Sequence, residues 1–200
     1  MTDLPSTIRV LVAEDNDLER STVVEVLTAL GHMVVAEVSS GAAAIERARQ
    51  LTPDAVLLDV HMPGASGVQA AEEIANALPG TAVVLVTGDL SLTLTMDDAM
   101  RSTAVALLSK PMPPTTLDAT LRMAVMRARE LLAAKREAKE AKEQLEARKL
   151  IERAKGILMR RTGSSEQEAY RIMQRSSQDR SVRMVDIARA VIDSEPGMKA

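Results

Sequence analysis

The chain has no cysteine, no tryptophan and no phenylalanine in 200 residues. Without cysteine there is no disulfide framework, no zinc ribbon and no thiol nucleophile. Two histidines, His32 and His61, are too few for a multi-histidine metal cage. Tyr170 is the single aromatic residue, which argues against a sheet of ring platforms that stacks single-stranded bases. The longest uncharged stretch, Ile74 to Gly88, contains Pro79 and Gly80 and falls short of the ~20 apolar residues a membrane-spanning helix needs. The N-terminus carries Asp3 and lacks a basic start followed by an apolar core, so no secretory signal is expected. With 46% apolar and 26% charged residues the composition is that of an ordinary folded protein, expected in the cytoplasm and away from membranes.

What is present divides into two halves. Residues 1–115 hold 6 Lys/Arg against 15 Asp/Glu, and residues 116–200 hold 19 against 13, so a net charge of −3 conceals an acidic half joined to a basic one. That asymmetry suggests two domains with different partners. In the first half, short runs rich in Val, Leu and Ile predict strands at Ile8–Ala13, Val34–Val38, Ala55–Asp59, Ala82–Thr87 and Val105–Ser109. Several are apolar almost throughout, as parallel strands buried on both faces are. Helical patterns at about 17–30, 41–51, 66–77, 91–101 and 114–134 alternate with them. The alternation predicts an α/β domain with a doubly wound, five-stranded parallel sheet, whose ligands sit beyond the carboxyl ends of the strands.

From Pro114 no proline or glycine recurs until Gly156, so residues 115–161 read as one long helix. Leu131, Ala138 and Leu145 repeat every seven residues, a thin seam that suits either a dimeric coiled coil or a solvated spacer. After Gly163, Ser165 and Glu168 have the spacing of a capping box. A helix to about Arg175 and a last one opening at Arg180 or Ser181 complete a small all-α three-helix bundle. Met159, Ile172, Met173, Val185 and Ala188 are its core by spacing, and Gly156 is read as allowing close approach of a neighbouring helix.

The strand ends carry the chemistry. Glu14-Asp15 follows the first strand, Asp59 ends the third, Thr87 ends the fourth, and Lys110-Pro111 follows the fifth. Three carboxylates at one sheet edge repel one another unless a cation neutralises them, and hard oxygen donors suit Mg²⁺. With a hydroxyl and an ammonium beside them they describe a site that forms and stabilises an acyl phosphate on Asp59. A strand-end Asp is more often a helix cap and Lys-Pro a simple turn; the weight lies in five such residues, Glu14, Asp15, Asp59, Thr87 and Lys110, falling in order on the alternating strands. No substrate-pocket residues are legible beyond this site, so an autonomous enzyme is not expected.

Val10–Ala13 before Glu14-Asp15, the run Leu57-Leu58-Asp59-Val60-His61-Met62-Pro63-Gly64 with Gly67, and Thr87 with Lys110-Pro111 together resemble the receiver domain of two-component response regulators, over residues 6–125. The resemblance implies a flavodoxin-like fold and a histidine kinase as phosphoryl donor to Asp59. It implies Mg²⁺ held directly by Asp15 and Asp59, by Glu14 through water and by the backbone carbonyl of His61. Thr87 and Lys110 would contact phosphoryl oxygens. Leu107 stands where the family usually carries an aromatic switch residue, and Thr103 where a Gly-Ala turn is common, so rotation of a ring toward Thr87 is not available. Signalling would then travel through the 88–104 segment or a changed dimer contact.

From Arg148 to Arg183 ten Lys/Arg face four acids, the footprint of a polyanion partner unless it is a merely solvated face or a protein-docking surface. Leu150-Ile151-Glu152-Arg153-Ala154-Lys155-Gly156-Ile157-Leu158-Met159, then Gly163, Glu168-Ala169-Tyr170, Arg175-Ser176-Ser177 and Ile187-Ala188-Arg189-Ala190-Val191-Ile192, resemble the ANTAR domain over residues 146–194, with 126–147 as helical linker. That resemblance implies transcription antitermination by binding RNA hairpins in nascent transcripts, as a homodimer whose formation can depend on phosphorylation. Candidate RNA contacts are Arg148, Lys155, Tyr170, Arg171, Arg175 and Arg180; for Tyr170 a core anchor is the competing reading. The alternatives are a DNA-binding response regulator and a protein-interaction regulator with a basic helical output module.

Overall fold

The computed structural model describes residues 6–63, 67–88 and 106–195, in two compact units, Met1–Ala134 and Lys135–Ala200. The first unit contains β1 (Arg9–Ala13), α1 (Asp17–Ala29), β2 (Met33–Val38), α2 (Gly41–Leu51), β3 (Ala55–Asp59), α3 (Gly67–Ala77), β4 (Ala82–Thr87) and β5 (Ala106–Ser109). It ends in α4 (Pro114–Thr162), which continues into the second unit and is followed there by α5 (Glu166–Arg180) and α6 (Met184–Asp193). The helix expected at 91–101, the segment 88–104 beyond Gly88, and Gly64, Thr103 and Val105 lie outside the described residues.

All strand pairs are parallel and their order is β2-β1-β3-β4-β5. The unbroken apolar runs of β1, β3 and β4 have a direct cause: each of these strands feeds two cores. Val10, Val12, Leu57 and Val84 face the layer that holds Leu27 of α1 and Leu117, Leu121 and Val125 of α4. Leu11, Ala13, Val56, Leu58, Val83 and Leu85 face the other layer, with Ala44 and Ala48 of α2 and Ala70, Ala71 and Ile74 of α3. Successive residues alternate between the two layers, and along residues 10–13, 55–58 and 82–86 burial on both faces leaves no polar position. The strand order reverses between β1 and β3, which makes the edge beyond Ala13 and Asp59 the topological switch point.

Local chemistry sets the helix starts. The Asn16 side chain accepts from the Leu18 and Glu19 amides, and Ser40 accepts from Ala43, satisfying amides that have no helical partner. Along α4, every residue from Ala133 to Glu146 is exposed, including Ala138 and Leu145 of the thin seam; Leu131 is exposed as well.

In the second unit a small core joins Ala154 and Ile157 of α4, Met173 of α5, and Ile187, Ala188 and Ile192 of α6. The capping box is formed: Glu168 accepts from the Ser165 amide at 2.8 Å while Ser165 Oγ accepts from the Glu168 amide at 3.4 Å. Several expectations for this unit change. The middle helix runs to Arg180 rather than Arg175, because its last turns are polar and the apolar period fades before the helix does. Ser181 closes that helix in the left-handed region instead of opening the next, and Arg183 precedes α6. Ile172 is 44% exposed rather than core. A Cβ at Gly156 would meet only the Arg160 guanidinium, at 3.7 Å, so no neighbouring helix requires the glycine.

Candidate functional site

Backbone pairing carries the polar residues to one rim. The register sets Ala13 against Leu58, Asp59 against Val86, and Thr87 against Ser109, so the residues at the strand ends stand side by side. The ladder is extended by Glu14 N–H to Val38 O at 3.0 Å, Val60 N–H to Val86 O at 2.9 Å and Lys110 N–H to Thr87 O at 2.8 Å. Gly67 opens α3 directly on the Asp59 backbone: a Cβ there would overlap the Asp59 carbonyl oxygen, so only glycine permits this approach.

Glu14, Asp15 and Asp59 each offer a carboxylate oxygen within 4.8 Å of the others. Glu14, Asp59 and Thr87 are buried, whereas Asp15 and His61 are exposed. The cluster lies in a cleft of about 890 Å³ shared with Lys110, and the Lys110–Pro111 peptide bond is cis. The Lys110 ammonium is 2.5 Å from Glu14 Oε2, 2.6 Å from Glu19 Oε2 and 3.6 Å from Asp59 Oδ1. The other Glu14 oxygen, Oε1, accepts from the Asn16 amide at 3.2 Å. Burial pushes the Glu14 carboxyl above its ordinary pKa, with the Asp59 charge adding, against the opposing pull of Lys110 and the Asn16 amide. For Lys110, burial works against the charged form, but hydrogen bonds to Glu14 and Glu19 outweigh it and raise the pKa. Three hard oxygen donors that repel one another are a donor set that fits Mg²⁺.

In the second unit, Lys155 is buried, its ammonium 2.8 Å from Glu152 and 2.7 Å from Glu166. Those two carboxylates raise its pKa, and Lys155 in turn lowers that of Glu166. Lys155, Tyr170 and Arg171 line one shallow pocket with Glu166, Gln167 and Gln174.

The response regulator receiver domain family matches residues 10–122, and the ANTAR domain family matches residues 139–192. The chain is a response regulator with an N-terminal receiver domain and a C-terminal ANTAR domain. It is 38% identical over 186 residues to the transcriptional regulatory protein PdtaR of Mycobacterium tuberculosis, an alignment that spans 93% of this chain and 90% of that protein. The receiver is similar to the signal receiver domain of NarL from the same species, with 33% identity and a TM-score of 0.54 over 63% of this chain and 98% of that one. It also shares its fold with the receiver domain of the sensor histidine kinase PA1611 of Pseudomonas aeruginosa, solved with a magnesium ion in its active-site cleft, at 23% identity and a TM-score of 0.54 over 60% and 98% of the two chains.

Within the receiver, the expected Glu14, Asp15, Asp59, His61, Thr87 and Lys110 fall at one rim. Glu19, absent from that expectation, joins them through Lys110; an acid in the first turn of a helix reads from sequence only as a favourable end charge. Leu107 lies on β5 with half its surface exposed. Among the described residues no helix is long and apolar enough to cross a membrane.

In the ANTAR domain the expected residues are only partly gathered. Arg148 is exposed two turns before Lys155 on the same side of α4, and Arg175 follows Arg171 by one turn of α5. Arg180 falls about half a turn round the helix from Arg171. Tyr170 is 43% exposed, which removes the core-anchor reading. Lys155 is engaged by two acids instead of presenting a bare charge.

Proposed function

We propose that this response regulator is controlled by phosphorylation of Asp59 and, in the phosphorylated form, binds hairpin RNA in nascent transcripts through its ANTAR domain to promote antitermination. The observation that carries the reading is the Glu14–Asp15–Asp59 cluster with the Lys110 ammonium 3.6 Å from Asp59, at the sheet's switch point in a chain that also has an ANTAR domain. An Asp59 carboxylate oxygen attacks the phosphorus of a phosphohistidine on a kinase. The O–P bond forms as the P–N bond breaks, and the imidazole leaves with the bonding pair and takes up a proton. Lys110 and Thr87 hold the oxygens of the resulting acyl phosphate. Asp15, Asp59 and the His61 carbonyl would hold Mg²⁺, which supplies positive charge to the carboxylates and phosphoryl oxygens. Both Glu14 oxygens already have partners, which supports its acting through water instead of directly.

The chain acts as a cytoplasmic regulator and not as an autonomous enzyme. RNA contact falls to the exposed Arg148, Tyr170, Arg171, Arg175 and Arg180, with Lys155 beside Tyr170 and Arg171. A dimer joins two such domains and raises avidity by making the second hairpin contact intramolecular. The test is a titration of a two-hairpin leader RNA against wild type and Asp59→Asn, with and without acetyl phosphate. Donor treatment is expected to tighten binding by wild type alone. Equal affinity before and after treatment rejects the switch, and equal affinity for loop mutants or duplex DNA rejects hairpin recognition.

A further inference from the structure

The Lys110 ammonium has three protons to donate. Glu14 takes one at 2.5 Å and Glu19 another at 2.6 Å, while the Asp59 oxygen, at 3.6 Å, lies beyond hydrogen-bond reach. The lysine is thus drawn toward α1 and away from the residue it would serve. Its two carboxylate partners differ. Glu14 is buried and belongs to the acidic cluster, whereas Glu19 has a side chain 48% exposed and stands outside that cluster.

The Glu19 position is built, not incidental. Its amide donates to the Asn16 side chain at 3.2 Å, the cap that starts α1. The next residue, Arg20, reaches back to the Glu14 carbonyl at 2.7 Å and pairs with Asp17, tying the first turn of α1 to the end of β1.

We propose that Glu19 is a positioning residue that keeps the Lys110 ammonium retracted in the resting receiver, so that a phosphoryl group on Asp59 must draw the lysine away from it. This inference rests on Asp59 being the phosphoacceptor. A phosphoryl group with a charge of about −1.5 to −2 attracts an ammonium more strongly than one carboxylate does. The half-exposed Glu19 is the partner whose hold is weak enough to be broken. Glu19 thereby sets a threshold: it favours the unmodified state without touching the acceptor.

The experiment compares full-length wild type, Glu19→Gln and Asp59→Asn. The phosphorylated fraction is measured with sub-saturating acetyl phosphate and Mg²⁺ on phosphate-affinity gels. In parallel, acylation of Lys110 by acetic anhydride in the unphosphorylated proteins is followed by mass spectrometry, with exposed lysines such as Lys139 as internal standards. Glu19→Gln is expected to raise both the phosphorylated fraction and the Lys110 acylation rate about three- to fivefold, the scale of a half-exposed pair. Unchanged acylation overturns the proposal even if phosphorylation rises, since Glu19 would then act only by repelling the anionic donor. Faster acylation with unchanged phosphorylation overturns it too, because the hold would have no consequence. Modification of Asp59→Asn to the same extent as wild type would instead defeat the assignment of the acceptor, while acylation would still report whether Glu19 holds Lys110.

Discussion

Lys110 in the receiver and Lys155 in the ANTAR domain each sit between two carboxylates, yet the surroundings differ. The Lys110 partners include Glu14, 5% exposed and adjacent to a second buried acid, Asp59. The Lys155 partners, Glu152 and Glu166, have side chains 55% and 67% exposed. Loss of Lys110 strands buried negative charge, whereas loss of Lys155 leaves acids that water can solvate. The same motif therefore does two jobs: in the receiver it balances the acidic cluster, and in the ANTAR domain it ties α5 to α4. The cores differ in parallel. Two layers sandwich the receiver sheet, while the ANTAR core rests on six buried side chains.

The largest test of this contrast is in the cores. Leu121→Ala and Ile157→Ala each remove a fully packed side chain and should cost about 2–5 kcal/mol. In differential scanning calorimetry Leu121→Ala should lower the receiver transition while leaving the receiver folded at 25 °C. Ile157→Ala should abolish the ANTAR transition, since so small a core has little in reserve; equal shifts would break the comparison. Next, Lys110→Ala should destabilise the receiver by about 1–3 kcal/mol through the unpaired Glu14, and millimolar Mg²⁺ should restore much of that loss. Lys155→Ala should shift the ANTAR transition less and show no Mg²⁺ response.

Acid should separate the two units as well. Glu166 and Glu168 have lowered pKa values, so the stability they confer is present above the ordinary carboxylate pKa and is lost as pH falls through their folded values. Glu14 has a raised pKa, so the folded receiver binds its proton first and this group favours folding as pH falls through that window. Side-chain carboxyl NMR of the folded protein should show Glu166 and Glu168 titrating below the ordinary glutamate value and Glu14 above it; the reverse order would contradict the assigned signs. The smallest expected effect is Ser165→Ala, about 1 kcal/mol from the lost cap of α5, read as a lower ANTAR melting temperature with no change in the receiver.

Much of the receiver was legible because its signals are local. Buried strands announce themselves as apolar runs, and Glu14, Asp15, Asp59, Thr87 and Lys110 each sit at the end of one. The ANTAR domain was read less accurately where local cues fade. Polar residues from Gln174 to Arg180 hid the true end of α5, and Ile172 has core spacing but faces water. Glu19 escaped notice because nothing within α1 marks it.

By itself the amino-acid order determined the alternation of the described elements, the parallel sheet, the starts of α1, α2 and α5 and the rim on which charged residues collect, since periodicity and capping act within a few residues. Tertiary structure alone decided that Lys110 meets Glu14 and Glu19 and that Lys155 meets Glu166, whereas Glu152 lies one turn from Lys155 on the same helix. Lys110 and Glu14 lie 96 residues apart along the chain and 2.5 Å apart in space. Hydrogen bonding and Coulomb attraction depend on that second distance only, so the retraction of Lys110 toward Glu19 and the engagement of Lys155 by Glu166 exist only once the helices have packed.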